Sequence, residues 1–137
     1  MSRQTLKSIL LLACLFLNGC SDSQLNPIPN DGVILAFGDS LTYGVGVEEE
    51  NSYPSVLSRL SEREVINAGV SGEVTKDGLE RLPQLLHETL PHTLILIEGG
   101  NDILRNYDLS QTKDNLRCMI LMAKQDNIQV VLVAMPA

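Results

Sequence analysis

Three short clusters in this 137-residue chain hold residue types that can do chemistry together. They are Gly38-Asp39-Ser40-Leu41, Asn67-Ala68-Gly69-Val70-Ser71-Gly72 and Gly99-Gly100-Asn101-Asp102. Taken singly, each is ordinary turn material. Taken together, they supply what acyl transfer requires. A serine hydroxyl such as that of Ser40 is a weak nucleophile that must be exposed, positioned and deprotonated. Its attack on an ester carbonyl creates an oxyanion, which needs donors already aimed at it. The backbone N–H groups of Ser40 and Gly72 and the side-chain amide of Asn101 can form such a trio. Glycine at position 72 permits close backbone approach, and an asparagine amide offers two N–H donors without a charge.

Such clusters act together only if the chain brings them to one edge. Val33 to Phe37 is a continuous apolar run, as in a strand buried on both faces. Ser52 and Pro54 open a helix whose stripe is Tyr53, Val56, Leu57 and Leu60. Glu64 to Asn67 reads as a second strand. Thr75 to His87 reads as a helix, in which Pro83 predicts a break or kink at Leu82. Thr93 to Glu98 is a third strand. Ser110 to Asp126 is a longer helix carrying Leu116, Met119, Ile120 and Ala123, and Ile128 to Met135 is a fourth strand. Strands joined by crossovers of this length form a parallel sheet covered by helices. The fold class is therefore α/β, doubly wound. Ligands in such sheets bind beyond the carboxyl ends of the strands, which is where all three clusters fall.

The segment AFGDSLTYGVG resembles the first block of the GDSL, or SGNH, hydrolase family. NAGVSGEVT resembles its glycine block and IEGGND its asparagine block, in the family's order and spacing. Within the family the chain looks most like the bacterial thioesterase I, lysophospholipase and arylesterase subgroup, from Gly32 to Ala137. The resemblance implies Ser40 as nucleophile and first oxyanion donor, with Gly72 and Asn101 as the other two donors. It also implies a flavodoxin-like three-layer α/β/α sandwich, no metal or other cofactor, and ester, thioester or lysophospholipid substrates.

The family's fourth block, an Asp-x-x-His that supplies the base and its carboxylate, has no counterpart among the 137 residues. The only histidines are His87 and His92. His92 precedes the third strand and Asn101 follows it, a separation of roughly 25–30 Å at about 3.3 Å per residue. A general base must come within about 3 Å of the hydroxyl, so both histidines read as surface or helix-end residues. The chain is thus expected to be a C-terminally truncated form. It would lack the catalytic Asp and His, the last strand and the last helix, and be inactive and aggregation-prone by itself.

The first nineteen residues read as a signal peptide: Arg3 and Lys7, then an apolar run from Ile9 to Leu17. That run is too short for a permanent membrane span. Leu17-Asn18-Gly19-Cys20 resembles the lipobox of bacterial lipoproteins, which implies cleavage before Cys20 and lipid attachment to it. Residues 20–31 read as a flexible tether, and 32–137 as the N-terminal part of the hydrolase domain. Cleavage removes Cys14 and leaves Cys118 without an intrachain partner; it reads as a small buried hydrophobe on a helix face. Ser21 is not the aspartate that retains lipoproteins in the inner membrane. The expected location is periplasmic or cell-surface, with outer-membrane anchoring in a Gram-negative organism.

Removing Arg3 and Lys7 leaves eight basic against seventeen acidic residues, a net charge of −9. So acidic a surface argues against nucleic acid and against electrostatic docking on anionic lipid. Membrane attachment would then depend on the lipid at Cys20. Gly44-x-Gly46 hints at a dinucleotide loop, but position 49 is glutamate, and Glu48, Glu49 and Glu50 would repel phosphates. That acidic run reads as a mobile loop. Two alternatives remain: a carbohydrate deacetylase, and an inactive or non-catalytic surface lipoprotein that keeps the sheet and binds a ligand.

Overall fold

The computed structural model describes residues 25–133. The leader, Cys20, the start of the expected tether (21–24) and residues 134–137 lie outside them. Four strands form one sheet: β1 (Val33–Gly38), β2 (Glu64–Gly69), β3 (Thr93–Ile97) and β4 (Gln129–Leu132). Their order is β2-β1-β3-β4 and every pairing is parallel. Five α-helices connect them: α1 (Ser40–Tyr43), α2 (Tyr53–Ser61), α3 (Thr75–Thr89), α4 (Gly100–Leu104) and α5 (Leu109–Gln125).

The apolar run Val33 to Phe37 is the centre of the sheet because it can be buried on both faces. Leu35, Ala36 and Phe37 are completely buried. Leu35 and Phe37 join Leu82 and Leu86 of α3, Leu94 and Leu96 of β3, and Met119 and Ala123 of α5 in the main core. The strand order moves one way from β1 to β2 and the other way from β1 to β3 and β4. Right-handed crossovers then place α2 on one face and α3 with α5 on the other. The doubly wound α/β sandwich read from the sequence is the fold observed.

Several local expectations change. Helix α3 is continuous from Thr75 to Thr89, so the break at Pro83 does not occur. Pro83 faces solvent, while Leu82 and Leu86 on either side of it are locked in the core. Tertiary packing overrides the local penalty. In α2 the expected stripe ends early, for Leu60 is 80% exposed. That helix covers the edge strand β2, which is itself half-exposed, and Tyr53, Val56 and Leu57 are only partly buried against it. Within the acidic run, Glu49–Asn51 forms a 3₁₀ turn. Ser52 Oγ donates to the Glu49 carbonyl and Arg59 donates to that of Glu50.

Cys118 is exposed, not buried as expected. The face of α5 turned inward carries Thr112, Asn115, Met119 and Ala123. Position 118 is one residue from Met119, and one residue on a helix is about 100° of rotation.

Candidate active site

The carboxyl ends of β1 and β3 are adjacent, and their connections leave on opposite faces of the sheet. This is the topological switch point at which such folds open a crevice. Ser40 follows β1 and Asn101 follows β3, so both stand at its rim.

Asp39 builds the Ser40 corner. Its N–H donates to the Ile97 carbonyl across the β1–β3 pair (3.3 Å), and its Oδ1 accepts from Leu41 N (3.0 Å). The side chain thereby caps α1, a single turn that begins at Ser40 and ends at Gly44 with φ +94°. Ser40 is half-buried and Asp39 buried. As the first helical residue, Ser40 has an N–H with no intrahelical acceptor. Two glycines allow the corner to sit so low. A Cβ on Gly38 would overlap the Ile97 carbonyl and Thr42, and one on Gly69 would overlap the backbone of Tyr43.

The second cluster leaves β2 through Gly69, whose N–H donates to Asn67 Oδ1 (3.0 Å). Val70 N donates to the Gly38 carbonyl (2.9 Å), which holds this segment beside the Ser40 corner. Gly72 sits at φ +80°, a conformation that favours glycine. Its carbonyl accepts from the Arg105 guanidinium (2.8 Å).

Asn101 joins the two. Its Nδ2 donates to the Glu73 carbonyl oxygen at 2.8 Å and lies 3.4 Å from Asp39 Oδ2. One amide group therefore bridges the residue after Gly72 and the residue before Ser40. The next residue, Asp102, anchors the assembly from below and is 3% exposed. It accepts from Thr75 N (2.9 Å), Thr75 Oγ1 (2.6 Å) and Thr112 Oγ1 (3.2 Å), tying α4 to the start of α3 and to α5. Asn115 Nδ2 completes the network on Thr75 Oγ1 (3.0 Å).

Beneath the site lies a buried acidic layer of Asp39, Glu73 and Glu98. Arg81 holds Glu73 with two bonds, Nε to Oε1 at 2.9 Å and Nη2 to Oε2 at 2.6 Å, and stacks 4.2 Å from the Phe37 ring centroid. Glu98 has no such partner. Burial above all, then the neighbouring carboxylate of Glu73 and the charge of Asp39, push its carboxyl up to about 9.

Open clefts lie beside the Ser40 corner and behind the Asn101 turn. One of about 400 Å³ is lined by Tyr43, Gly44, Val47, Glu49, Asn67 and Gly69. Another of about 390 Å³ lies against Val74, Lys76, Arg105 and Tyr107.

The three segments named from the sequence are thus brought together, and the histidines are not. His92 is bonded at the amino end of β1, its N–H to the Val33 carbonyl (2.8 Å) and its Nδ1 accepting from Val33 N (3.3 Å). His87 is exposed in the last turn of α3. Sequence reasoning gave no role to Asp39, Glu73, Arg81, Glu98, Asp102 or Arg105. One signal was available: Glu98 is a carboxylate closing the otherwise apolar run TLILIE.

This is the geometry of an SGNH-type esterase fold, and comparison with known proteins agrees. Residues 36–137 match the model of the GDSL-like Lipase/Acylhydrolase family. The chain belongs to that family. It is 35% identical over 101 residues to thioesterase 1/protease 1/lysophospholipase L1 of Escherichia coli K12, covering 72% of this chain and 49% of the relative. It is 38% identical over 104 residues to an arylesterase of Vibrio mimicus, covering 72% and 52%. Among solved structures, AlinE4, an SGNH-hydrolase family esterase, superposes with a TM-score of 0.74 at 36% identity, over 81% of this chain and 62% of that one. The esterase EstA from Pseudoalteromonas sp., solved with monoethylphosphonate as inhibitor, gives 0.71 at 27% identity, over 77% and 62%. The chain spans about half the length of the curated relatives it matches.

Proposed function

We propose that this chain carries the nucleophile and the oxyanion hole of a serine ester hydrolase. Its substrates would be carboxylic esters or thioesters of the arylesterase, acyl thioesterase or lysophospholipase type. Ser40 Oγ attacks the acyl carbon. The N–H groups of Ser40 and Gly72 and the Asn101 amide receive the oxyanion. The observation that carries this reading is the Asn101 bridge, which links the Gly72 segment to the Ser40 corner through Glu73 and Asp39.

Serine attack needs a base within hydrogen-bond reach. His87 and His92 stand at the opposite edge of the sheet, so the base is not one of this chain's histidines. Family resemblance points to an Asp-x-x-His for that role. The decisive experiment is therefore done on the full-length gene product. A phosphonate of the kind that inhibits the EstA relative should modify Ser40 covalently, and Ser40→Ala should abolish both labelling and aryl-ester hydrolysis. A full-length protein that stays unlabelled would favour a non-catalytic, ligand-binding role.

Export and lipidation at Cys20 form part of the same proposal and rest on the lipobox-like Leu17-Asn18-Gly19-Cys20. Radiolabelled fatty acid should be incorporated in vivo and lost in Cys20→Ala, with the variant shifting from the membrane to the soluble fraction. Incorporation that survives the substitution would remove this part.

A further inference from the structure

Among the described residues, the two carboxyl oxygens of Glu98 are the only buried side-chain polar atoms without a hydrogen-bond partner. The residue is 5% exposed and lies between β3 and the turn at Gly99. It makes no ion pair. Arg81 on α3 is committed to both oxygens of Glu73 and to the Ala68 carbonyl. Lys113 on α5 is exposed and lines the same groove as Glu98 without pairing with it; the ion pairs among the described residues are Arg81–Glu73 and Arg117–Asp114. Asp102 on α4 is taken up by Thr75 and Thr112. The polar side chains that do face Glu98 are the carboxylates of Glu73 and Asp39. A carboxylate only accepts hydrogen bonds, so an ionised Glu98 would be buried, unpartnered and next to two like charges, which is strongly unfavourable.

We propose that Glu98 is a positioning residue, a neutral carboxylic acid whose O–H donates to the Glu73 carboxylate and latches the end of β3 to the segment carrying Gly72. A proton satisfies Glu98 and places no second charge beside Glu73. Glu73 is also the residue whose backbone oxygen accepts from Asn101. The latch thus bears on Gly72 and Asn101 together. The carboxyl's rise to about 9, caused first by burial and then by Glu73, agrees with a group neutral at pH 7. The shared proton is independent of ester chemistry, while the effect on Ser40 reactivity rests on the ester-hydrolase reading.

The sign follows from linkage. The folded-state value lies above the ordinary carboxyl value of 4.5. The contribution of the protonated group is therefore complete below about pH 4.5 and is lost as pH rises through about 9. Glu98→Gln keeps a donor for Glu73 and cannot titrate. In denaturant unfolding of the full-length protein, wild type should lose stability relative to Glu98→Gln by about tenfold in the folded-to-unfolded ratio per pH unit between pH 5 and 9. Infrared spectra at pH 8, where ordinary carboxyls are ionised, should show a protonated-carboxyl band in wild type that Glu98→Gln removes. Parallel stability curves, or no such band in wild type, would overturn the proposal; the band is read on wild type even if a variant fails to fold. Phosphonate labelling of Ser40 should slow by about tenfold from pH 8 to 10 in wild type relative to Glu98→Gln, and identical profiles would overturn the positioning role. Absence of labelling at every pH, with the band in place, would overturn the ester-hydrolase reading while supporting the shared proton.

Discussion

Asn101 shows how much one side chain can organise. Its amide reaches Glu73, 28 residues away in the chain, and Asp39, 62 residues away. Asn101→Ala should lower kcat for an aryl ester by about 100-fold or more, the usual cost of one oxyanion donor, with far-UV circular dichroism unchanged. An effect confined to KM would assign the residue to binding instead. That the segments of Ser40, Gly72 and Asn101 meet at one edge was legible in the sequence, because each is turn-forming and follows an apolar strand. Glu73, Arg81 and Glu98 were not, because their roles depend on partners brought close only by the fold. Arg81→Met should destabilise the protein by about 3 kcal/mol, since it strands Glu73 as a buried charge. A shift in urea midpoint at constant m-value would measure it. Cys118 teaches the reverse lesson: apolar neighbours in sequence placed it inside, but helix rotation places it in solvent.

At the scale of elements, the site depends on backbones that approach without side chains between them. Gly69 packs directly on the start of Tyr43, and Gly69→Ala should cost about 1–3 kcal/mol as α1 is forced off β2. Thermal unfolding would show it as a lowered Tm, and an unchanged Tm would mean that the corner adjusts freely. Asp102 works across three helices. It caps Thr75 at the start of α3 and accepts from Thr112 on α5 while sitting in α4. Asp102→Ala leaves the Thr75 N–H and hydroxyl buried without that acceptor, at about 1–3 kcal/mol each before relaxation, while the Thr112 hydroxyl keeps the Asp108 carbonyl. Hydrogen exchange should accelerate first in the opening turn of α3; uniform acceleration would indicate global loss instead. Element types followed from apolar periodicity, including α3, where core packing of Leu82 and Leu86 outweighs Pro83. Element ends did not follow so well, since β2 runs on through Ala68 and Gly69 by pairing with Phe37 and Gly38.

For the whole molecule, the decisive feature is the strand order β2-β1-β3-β4, which puts the switch point between the Ser40 and Asn101 loops. Among the described residues, the same order leaves β4 at an edge, with Leu132 47% and Val133 39% exposed. Ile103, Leu109, Leu116, Leu132 and Val133 line an adjoining groove of about 350 Å³. An unpaired apolar strand edge invites association. The 21–137 segment expressed by itself should therefore elute as soluble aggregate on size-exclusion chromatography with light scattering. A clean monomer would show that the net charge of −9 keeps the edge apart.

From the sequence alone came the α/β class, the central buried strand, the family and the three turn segments that meet at one edge of the sheet. Each is encoded locally, in apolar period or in a short motif whose residue types do the work. Which residues share a proton, which carboxylate is held by an arginine, and which face of a helix meets solvent were decided only by tertiary structure. Those properties arise when groups distant in the chain are brought together out of water, where the absence of a partner becomes costly and the fold alone determines who the partner is.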